Sequence, residues 1–250
     1  MNTNFRTRLK HGDLLIGTVV TLSNPSVVEV LINAGFDWFF VDLEHSPMDV
    51  KDAQAIQQAV GERAACILRL PLNDEIWIKK SLDTGVAGIM LPQVNNLEDA
   101  RRAVRLSKYP PQGSRSIGAA RANDYGSSNL QTYAARANLD TIVVAQVETI
   151  EAVRNLEGIL SVEGLDAVLV GPYDLSASMG LIGQVEHADV QANIAQVQRA
   201  CQAHSLPIGI YTSNPAAAIT YIAQGFSLIA FSADILLLDQ AGRDAVKALR

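Results

Sequence analysis

Several kinds of chemistry are excluded by what this chain lacks. Cysteine is scarce: only Cys66 and Cys201 occur in 250 residues, and Cys66 sits in an apolar, strand-like run. Reduced, structural thiols of a cytoplasmic protein are the expectation. A basic surplus is absent too. Lysine and arginine total 20 against 26 aspartates and glutamates, a net charge of −6, and no basic cluster offsets it, which argues against a nucleic-acid binder. The acidic balance reads as a solvated surface. No uninterrupted apolar run approaches the ~20 residues that span a bilayer. The amino-terminal residues 1–10 carry Arg6, Arg8 and Lys10, and no apolar signal core follows them. A soluble, cytoplasmic chain is the reading.

What is present is a strand–helix alternation from end to end. About half the residues are apolar, enough for a sizeable core. Strand-like runs fall at 14–21, 36–43, 64–70, 87–91, 141–147, 166–170, 207–211 and 227–231. Helical segments lie between them, at 49–60, 74–84, 149–160, 188–204, 215–224 and 239–249 among others, and glycines such as Gly35 and Gly85 close two of them. One helix sets Leu97, Ala100, Val104 and Ser107 on one face and Arg101, Arg102 and Arg105 on another, an amphipathic surface pattern. The continuously apolar strands suit a parallel sheet buried on both sides. Eight such units in one chain of this length predict an α/β fold, a single (β/α)8 barrel over residues 1–250. The rival, an open doubly wound sheet, lacks a Gly-x-Gly-x-x-Gly after any strand. Two segments interrupt the alternation, a long polar one at 110–138 with Arg115 and Arg121, and another at 175–187. Loops of such length are functional or touch a partner.

A barrel builds its active site from the loops at the carboxyl ends of its strands. Those ends offer Thr21 and Ser23; Asp42, Glu44 and His45; Arg69; Pro92 and Gln93; Gln146 and Glu148; Tyr173 and Asp174; Tyr211 and Thr212; Ser232 and Asp234. Two carboxylates, Glu148 and Asp174, with no cysteine or paired histidine beside them, suit a hard divalent ion such as Mg²⁺ or Mn²⁺, or Co²⁺. A 2-oxo acid can chelate such an ion, which then acidifies the carbon next to the keto group. Arg69 can receive an oxyanion or a carboxylate in its fork of donors, and His45, oriented by Asp42, can relay a proton. Structural roles remain open for each: Asp174 as a helix cap, Glu148 as a partner of a helix amino terminus, His45 on the surface, Arg69 in a structural ion pair. The lysines, Lys10, Lys51, Lys79, Lys80, Lys108 and Lys247, fall in predicted helices, helix ends or the amino-terminal segment, so Schiff-base chemistry is disfavoured. A phosphorylated substrate is disfavoured as well, because no glycine-rich backbone follows strands seven and eight.

Four stretches carry a resemblance: Val41-Asp42-Leu43-Glu44-His45-Ser46-Pro47, Arg69-Leu70-Pro71, Gln146-Val147-Glu148-Thr149 and Gly171-Pro172-Tyr173-Asp174-Leu175-Ser176-Ala177-Ser178. In this order they resemble the HpcH/HpaI aldolase family, class II metal-dependent aldolases that use pyruvate, and the likeness covers nearly the whole chain. The resemblance implies Glu148 and Asp174 as metal ligands and His45 as the acid/base residue supported by Asp42. It implies Arg69 as the group that binds enolate and oxo acid. Amides around Tyr173 and Asp174 would hold the pyruvate carboxylate, with Gln146 nearby. It further implies a homohexamer built from dimers, in which Asp83 reaches a neighbour's site. Tyr211 and Tyr173 depart from the smaller residues common in the family, so the aldehyde preference of relatives does not transfer. The Gly113–Tyr125 loop, with Arg115 and Arg121, stands either for binding the far carboxylate of a longer substrate or for subunit contact.

The expected activity is therefore reversible cleavage of a 4-hydroxy-2-oxo acid to an aldehyde and pyruvate, or a close 2-oxo acid such as hydroxypyruvate. Two alternatives stand beside it: a CoA-thioester lyase of the citrate-lyase type, and a barrel that binds an oxo acid without catalysis.

Overall fold

The computed structural model describes residues 3–250; Met1 and Asn2 of the amino-terminal segment lie outside the described residues. Eight parallel strands close into a barrel in sequence order: β1 Leu15–Val20, β2 Trp38–Asp42, β3 Ala65–Arg69, β4 Gly88–Leu91, β5 Ile142–Val147, β6 Ala167–Val170, β7 Ile208–Thr212 and β8 Leu228–Ala233. The expected (β/α)8 architecture is thus the observed one.

Strand periodicity sorts the side chains into two cores. Successive residues point to opposite faces of a strand. Trp38, Phe40, Ala65, Ile67, Val144 and Leu169 accordingly fill the barrel interior. Phe39, Val41, Leu68, Ile89, Val143 and Val168 face outward into the layer under the helices. Gly17, whose partner across the ladder is Trp38, leaves room for that indole: a Cβ there would sit 2.4 Å from the ring.

The amino-terminal segment is a helix, α1 Thr3–His11, an element the sequence pattern did not announce. Its Phe5 and Leu9 are buried at the amino end of the barrel with Trp38, and Arg6 bonds Asp166 just before β6. The surrounding helices are α2 Pro25–Asn33, α3 Val50–Val60, α4 Glu75–Asp83 and α5 Leu97–Ser107. On α5 the predicted division holds, with Ala100, Val104 and Ser107 buried and the three arginines exposed.

Residues 110–138, which read in sequence as a long polar loop, contain more structure than that. A short 3₁₀ stretch spans Arg121–Gly126, and α6 Leu130–Asp140 follows behind an Asn129 cap that accepts from the Thr132 amide. This helix buries chiefly Ala137 and Asn138 and so lacks a strong apolar stripe, which hid it from periodicity. The helix expected at 149–160 is two, α7 Ile150–Arg154 and α8 Leu156–Leu160, broken at Asn155.

After β6, α9 Pro172–Ser178 starts directly and runs into the first residues of the segment that interrupts the alternation. Then come α10 Ala188–Ala203, α11 Pro215–Ala223 and α12 Asp234–Ala248, the last beginning five residues earlier than its predicted start at 239. Helix α12 packs on β8 and β1 at its root, while everything beyond Leu237 is exposed. No helix among the described residues is long and apolar enough to cross a membrane.

Candidate active site

The inward rows of the strands lead directly to the site. Continuing Trp38–Phe40 by two residues gives Asp42, and continuing Ala65–Ile67 gives Arg69. The same step gives Gln146 after Val144 and Gly171 after Leu169. Asp42 and Arg69 are register partners on neighbouring strands. Arg69 Nε donates to Asp42 Oδ1 at 2.9 Å and Nη2 to Oδ2 at 2.7 Å, a bidentate pair buried on both sides. Its guanidinium lies 4.9 Å from the Phe40 ring centroid, over the apolar floor. Burial alone would raise the Asp42 carboxyl; the Arg69 fork and the amides of Glu44 and His45 outweigh it and hold it below its ordinary value.

The Asp-x-Glu-His stretch is a turn organised on Asp42. Its Oδ1 accepts the amides of Glu44 (3.0 Å) and His45 (3.3 Å), and the Ser46 hydroxyl donates to the Asp42 carbonyl. Asp42 therefore fixes the His45 main chain and the Arg69 guanidinium rather than the imidazole, contrary to the expectation that it orients the ring. The ring is 65% exposed at the mouth of the cavity, and its Nε2 lies 3.8 Å from Glu44 Oε2.

Glu148 stands one step above Gln146, almost fully buried. Its Oε1 accepts the Gln93 amide at 2.7 Å and its Oε2 accepts from Gln146 Nε2. Gln93 has φ of 49°, a costly conformation for a residue with a side chain, and that conformation aims its amide at the carboxylate. Burial pushes the Glu148 carboxyl up to about 7, with the negative charges of Asp174 and Glu44 adding to the rise. Glu44 is raised too, by burial above all, while Arg69 Nε at 3.3 Å opposes the shift.

The helix caps beside the two acids are supplied by other residues. Thr149, not Glu148, caps α7. The cap position of α9 is Gly171, and Asp174 lies within the first turn of that helix. Gly171 also keeps the space beside Glu148 open, since a Cβ there would sit 3.0 Å from Glu148 Cβ and 3.3 Å from its Oε2.

Asp42, His45, Arg69, Gln146, Tyr173, Asp174 and Tyr211 line one cavity of about 300 Å³ at the carboxyl end of the barrel, and Glu148 adjoins it through Gln146 and Gly171. Asp83 is elsewhere. It ends α4 at the amino side of the barrel, where Arg115 Nη2 donates to it at 2.7 Å and Arg121 donates to the neighbouring Thr84 carbonyl. Arg115 and Arg121 thus lie at the opposite rim from this chain's own cavity, against the reading that they bind a far carboxylate there. Sequence reasoning placed Gln93 and Glu44 at strand ends without choosing them. A left-handed residue is invisible in composition, so only the backbone geometry singled out the Gln93 amide.

A divalent ion fits this arrangement. Glu148, Asp174 and Glu44 bring mutually repelling carboxylates to one region, and the buried Gln146 Oε1 has no hydrogen-bond partner. Among the described residues no group of three or more His, Cys, Asp or Glu side chains is gathered for a metal. An ion held by two carboxylates would keep positions for water and substrate.

A closed parallel barrel that gathers acids, an arginine and a histidine at its carboxyl end is laid out as an enzyme, and the relatives of this chain make it a carbon–carbon lyase of the aldolase kind. The family model for HpcH/HpaI aldolase/citrate lyase matches residues 15–241. The chain belongs to that family. It is 38% identical over 244 residues to 2-dehydro-3,6-dideoxy-6-sulfogluconate aldolase of Pseudomonas putida, covering 97% of this chain and 95% of that protein. It is also 38% identical over 242 residues to 4-hydroxy-2-oxo-heptane-1,7-dioate aldolase of Escherichia coli, covering 96% and 92%. Among solved structures, an HpcH/HpaI aldolase/citrate lyase family protein from Burkholderia cenocepacia J2315 superposes with a TM-score of 0.95 at 33% identity, covering 99% of both chains.

Proposed function

We propose that this chain is a metal-dependent class II aldolase. It cleaves a 4-hydroxy-2-oxo acid reversibly to an aldehyde and pyruvate, or a close 2-oxo acid such as hydroxypyruvate. The observation that carries the reading is one small cavity lined by the buried Asp42–Arg69 pair and by Asp174, with the buried Glu148 carboxylate adjoining it. Glu148 and Asp174 would hold the ion, Mg²⁺ or Mn²⁺ by ligand hardness and Co²⁺ as a further option. When bound, the ion supplies Lewis-acid polarisation of the keto group.

The remaining work falls to the chain itself. Arg69 spends Nε and one Nη2 hydrogen on Asp42, and its other donors are free for the oxyanion or the oxo-acid carboxylate. The amides of Tyr173 and Asp174 open α9, whose cap residue Gly171 contributes no side-chain bond, so they are available to the carboxylate. His45 Nε2 takes the C4 hydroxyl proton as the C3–C4 bond breaks. The electron pair left on C3 then takes that proton back from His45, which yields the methyl group and returns the imidazole to its starting state. Phe40, Val19 and Leu169 exclude water beneath the reacting carbons.

The chain's α12 carries the exposed apolar residues Ile235, Leu236, Leu238 and Val246, with Leu249 just past its end, while Ile16 of β1, Val30 of α2 and Ile219 of α11 are exposed on the barrel. An unpaired apolar helix beside exposed apolar barrel residues supports assembly with further copies of this chain, in line with a homohexamer. The test of the activity is direct. Chelator should abolish pyruvate release from a 4-hydroxy-2-oxo acid, and Mg²⁺ or Mn²⁺ should restore it. Full activity in chelator, or turnover of a CoA thioester with none of the oxo acid, would overturn the proposal.

A further inference from the structure

A second cleft, of about 340 Å³, adjoins the site cavity and shares Pro172, Tyr173 and Tyr211 with it. The two tyrosine rings stand between the chambers with centroids 6.2 Å apart and planes tilted by 58°. Beyond them the walls come from Gln184 and Glu186 of the segment after α9, from His187 and Asn214 at the starts of α10 and α11, and from Tyr221 near the end of α11. Nothing in the aldol chemistry derived above uses this chamber.

Its walls mix polar side chains with tyrosine rings. No lysine or arginine is among the described residues that line it, and Glu186 contributes a carboxylate. The helix ends that would otherwise attract an anion are already capped. The Asp189 amide donates to His187 Nδ1 at 3.2 Å, and the Ala216 and Ala217 amides donate to Asn214 Oδ1 at 2.9 and 3.4 Å. With Nδ1 of His187 taken by that amide, Nε2 is the ring nitrogen left to donate. Tyr221 accepts from Gln191 Nε2 at 3.0 Å and keeps its own hydroxyl proton to give. Donors and acceptors of this kind match hydroxyl groups, which both give and take hydrogen bonds. The tyrosine rings add amphipathic surface along the way.

On the reading that the site is a pyruvate aldolase, we propose that this cleft binds the distal end of the acceptor aldehyde. The acceptor is then a short, uncharged polyhydroxylated aldehyde, reaching across the Tyr173–Tyr211 pair. The relatives named above act on compounds that carry a sulfonate or a second carboxylate at that end, and an anion there would face Glu186 without a lysine or arginine.

The test is steady-state aldol addition of pyruvate, with Mg²⁺ present, to glyceraldehyde and erythrose on one side and succinate semialdehyde on the other. The neutral acceptors should have kcat/KM at least tenfold higher. Glu186→Lys should move the ratio at least tenfold toward the anionic acceptor, and Gln184→Lys provides the same reversal if the first variant folds poorly. A wild-type preference for succinate semialdehyde, or a ratio unmoved in a folded variant, overturns the proposal. Deuterium exchange into the pyruvate methyl, measured without aldehyde, separates the two levels. Absence of exchange sinks the aldolase reading itself, whereas exchange with a preference for the anionic acceptor sinks only the inference about the cleft.

Discussion

Replacing Glu148 by glutamine should stabilise the metal-free protein at alkaline pH while removing its affinity for the ion. Burial holds the Glu148 carboxyl at about 7 in the folded chain, against 4.5 for the free group. Each tenfold change in an ionisation equilibrium corresponds to about 1.36 kcal/mol, so ionising this side chain costs the folded state roughly 3 kcal/mol. Between those two values the folded chain binds more protons than the unfolded one, so stability falls as pH rises through the window. The full cost is present above pH 7 and absent below 4.5. Glutamine has no charge to bury, and its carbonyl oxygen can still accept the Gln93 amide. Its amide nitrogen would face Gln146, whose unpartnered Oε1 can accept it after an amide flip. Thermal melts with chelator, at a fixed protein concentration, should therefore place Glu148→Gln about 6–12 °C above the wild type at pH 8 and level with it near pH 4.5, taking roughly 2–4 °C per kcal/mol for a chain of this size. Adding Mg²⁺ or Mn²⁺ should reverse the order at pH 8, because only the wild type gains binding energy. Equal pH dependence of the two proteins in chelator would refute the account of Glu148 as a buried, uncompensated carboxylate.

Other consequences are open to measurement. Metal affinity, followed by calorimetry, should fall about tenfold for each pH unit below pH 7, where Glu148 holds a proton that the ion must displace, and Asp174→Ala should abolish it with the far-ultraviolet circular dichroism unchanged. Asp42→Asn leaves the buried Arg69 without its carboxylate and should cost about 3–5 kcal/mol in denaturant unfolding at pH 7. Since Asp42 sits below its ordinary value, that difference should shrink as pH drops through the folded-state value of the group. His45→Ala should slow deuterium exchange at the pyruvate methyl by about 10²-fold or more; an unaltered rate removes the imidazole from the proton path. Mixing Asp83→Ala chains with Asp174→Ala chains should restore part of the activity that each lacks alone if Asp83 serves a neighbour's cavity, and no recovery would count against that role.

The barrel was legible because its signal is local. Eight apolar runs separated by helical periods need only strand and helix spacing to be recognised, and the closed ladder follows their order. The site was partly legible for the same reason. Period two carries the inward row of β2 to Asp42, of β3 to Arg69 and of β5 to Gln146, so the residues at those strand ends had to meet. Helices α1 and α6 escaped because a short cap with Arg6, Arg8 and Lys10 and a helix burying little more than Ala137 and Asn138 carry weak patterns.

Which groups converge, and how, was decided by the tertiary structure. Asp42 chose the Arg69 guanidinium over the His45 ring because parallel register puts those two strand ends side by side. Gln93 entered the site through its main-chain amide, which no side-chain pattern reports. Asp83, close in sequence to Arg69, lies at the far rim because a helix between two parallel strands carries the chain back to their amino ends. The sequence alone determined the fold and the chemical types gathered at the strand ends, since spacing and residue type are properties of the chain. Closure of the barrel determined pairing, burial and the charge at Glu148, since these depend on neighbours that only folding brings within a few ångströms.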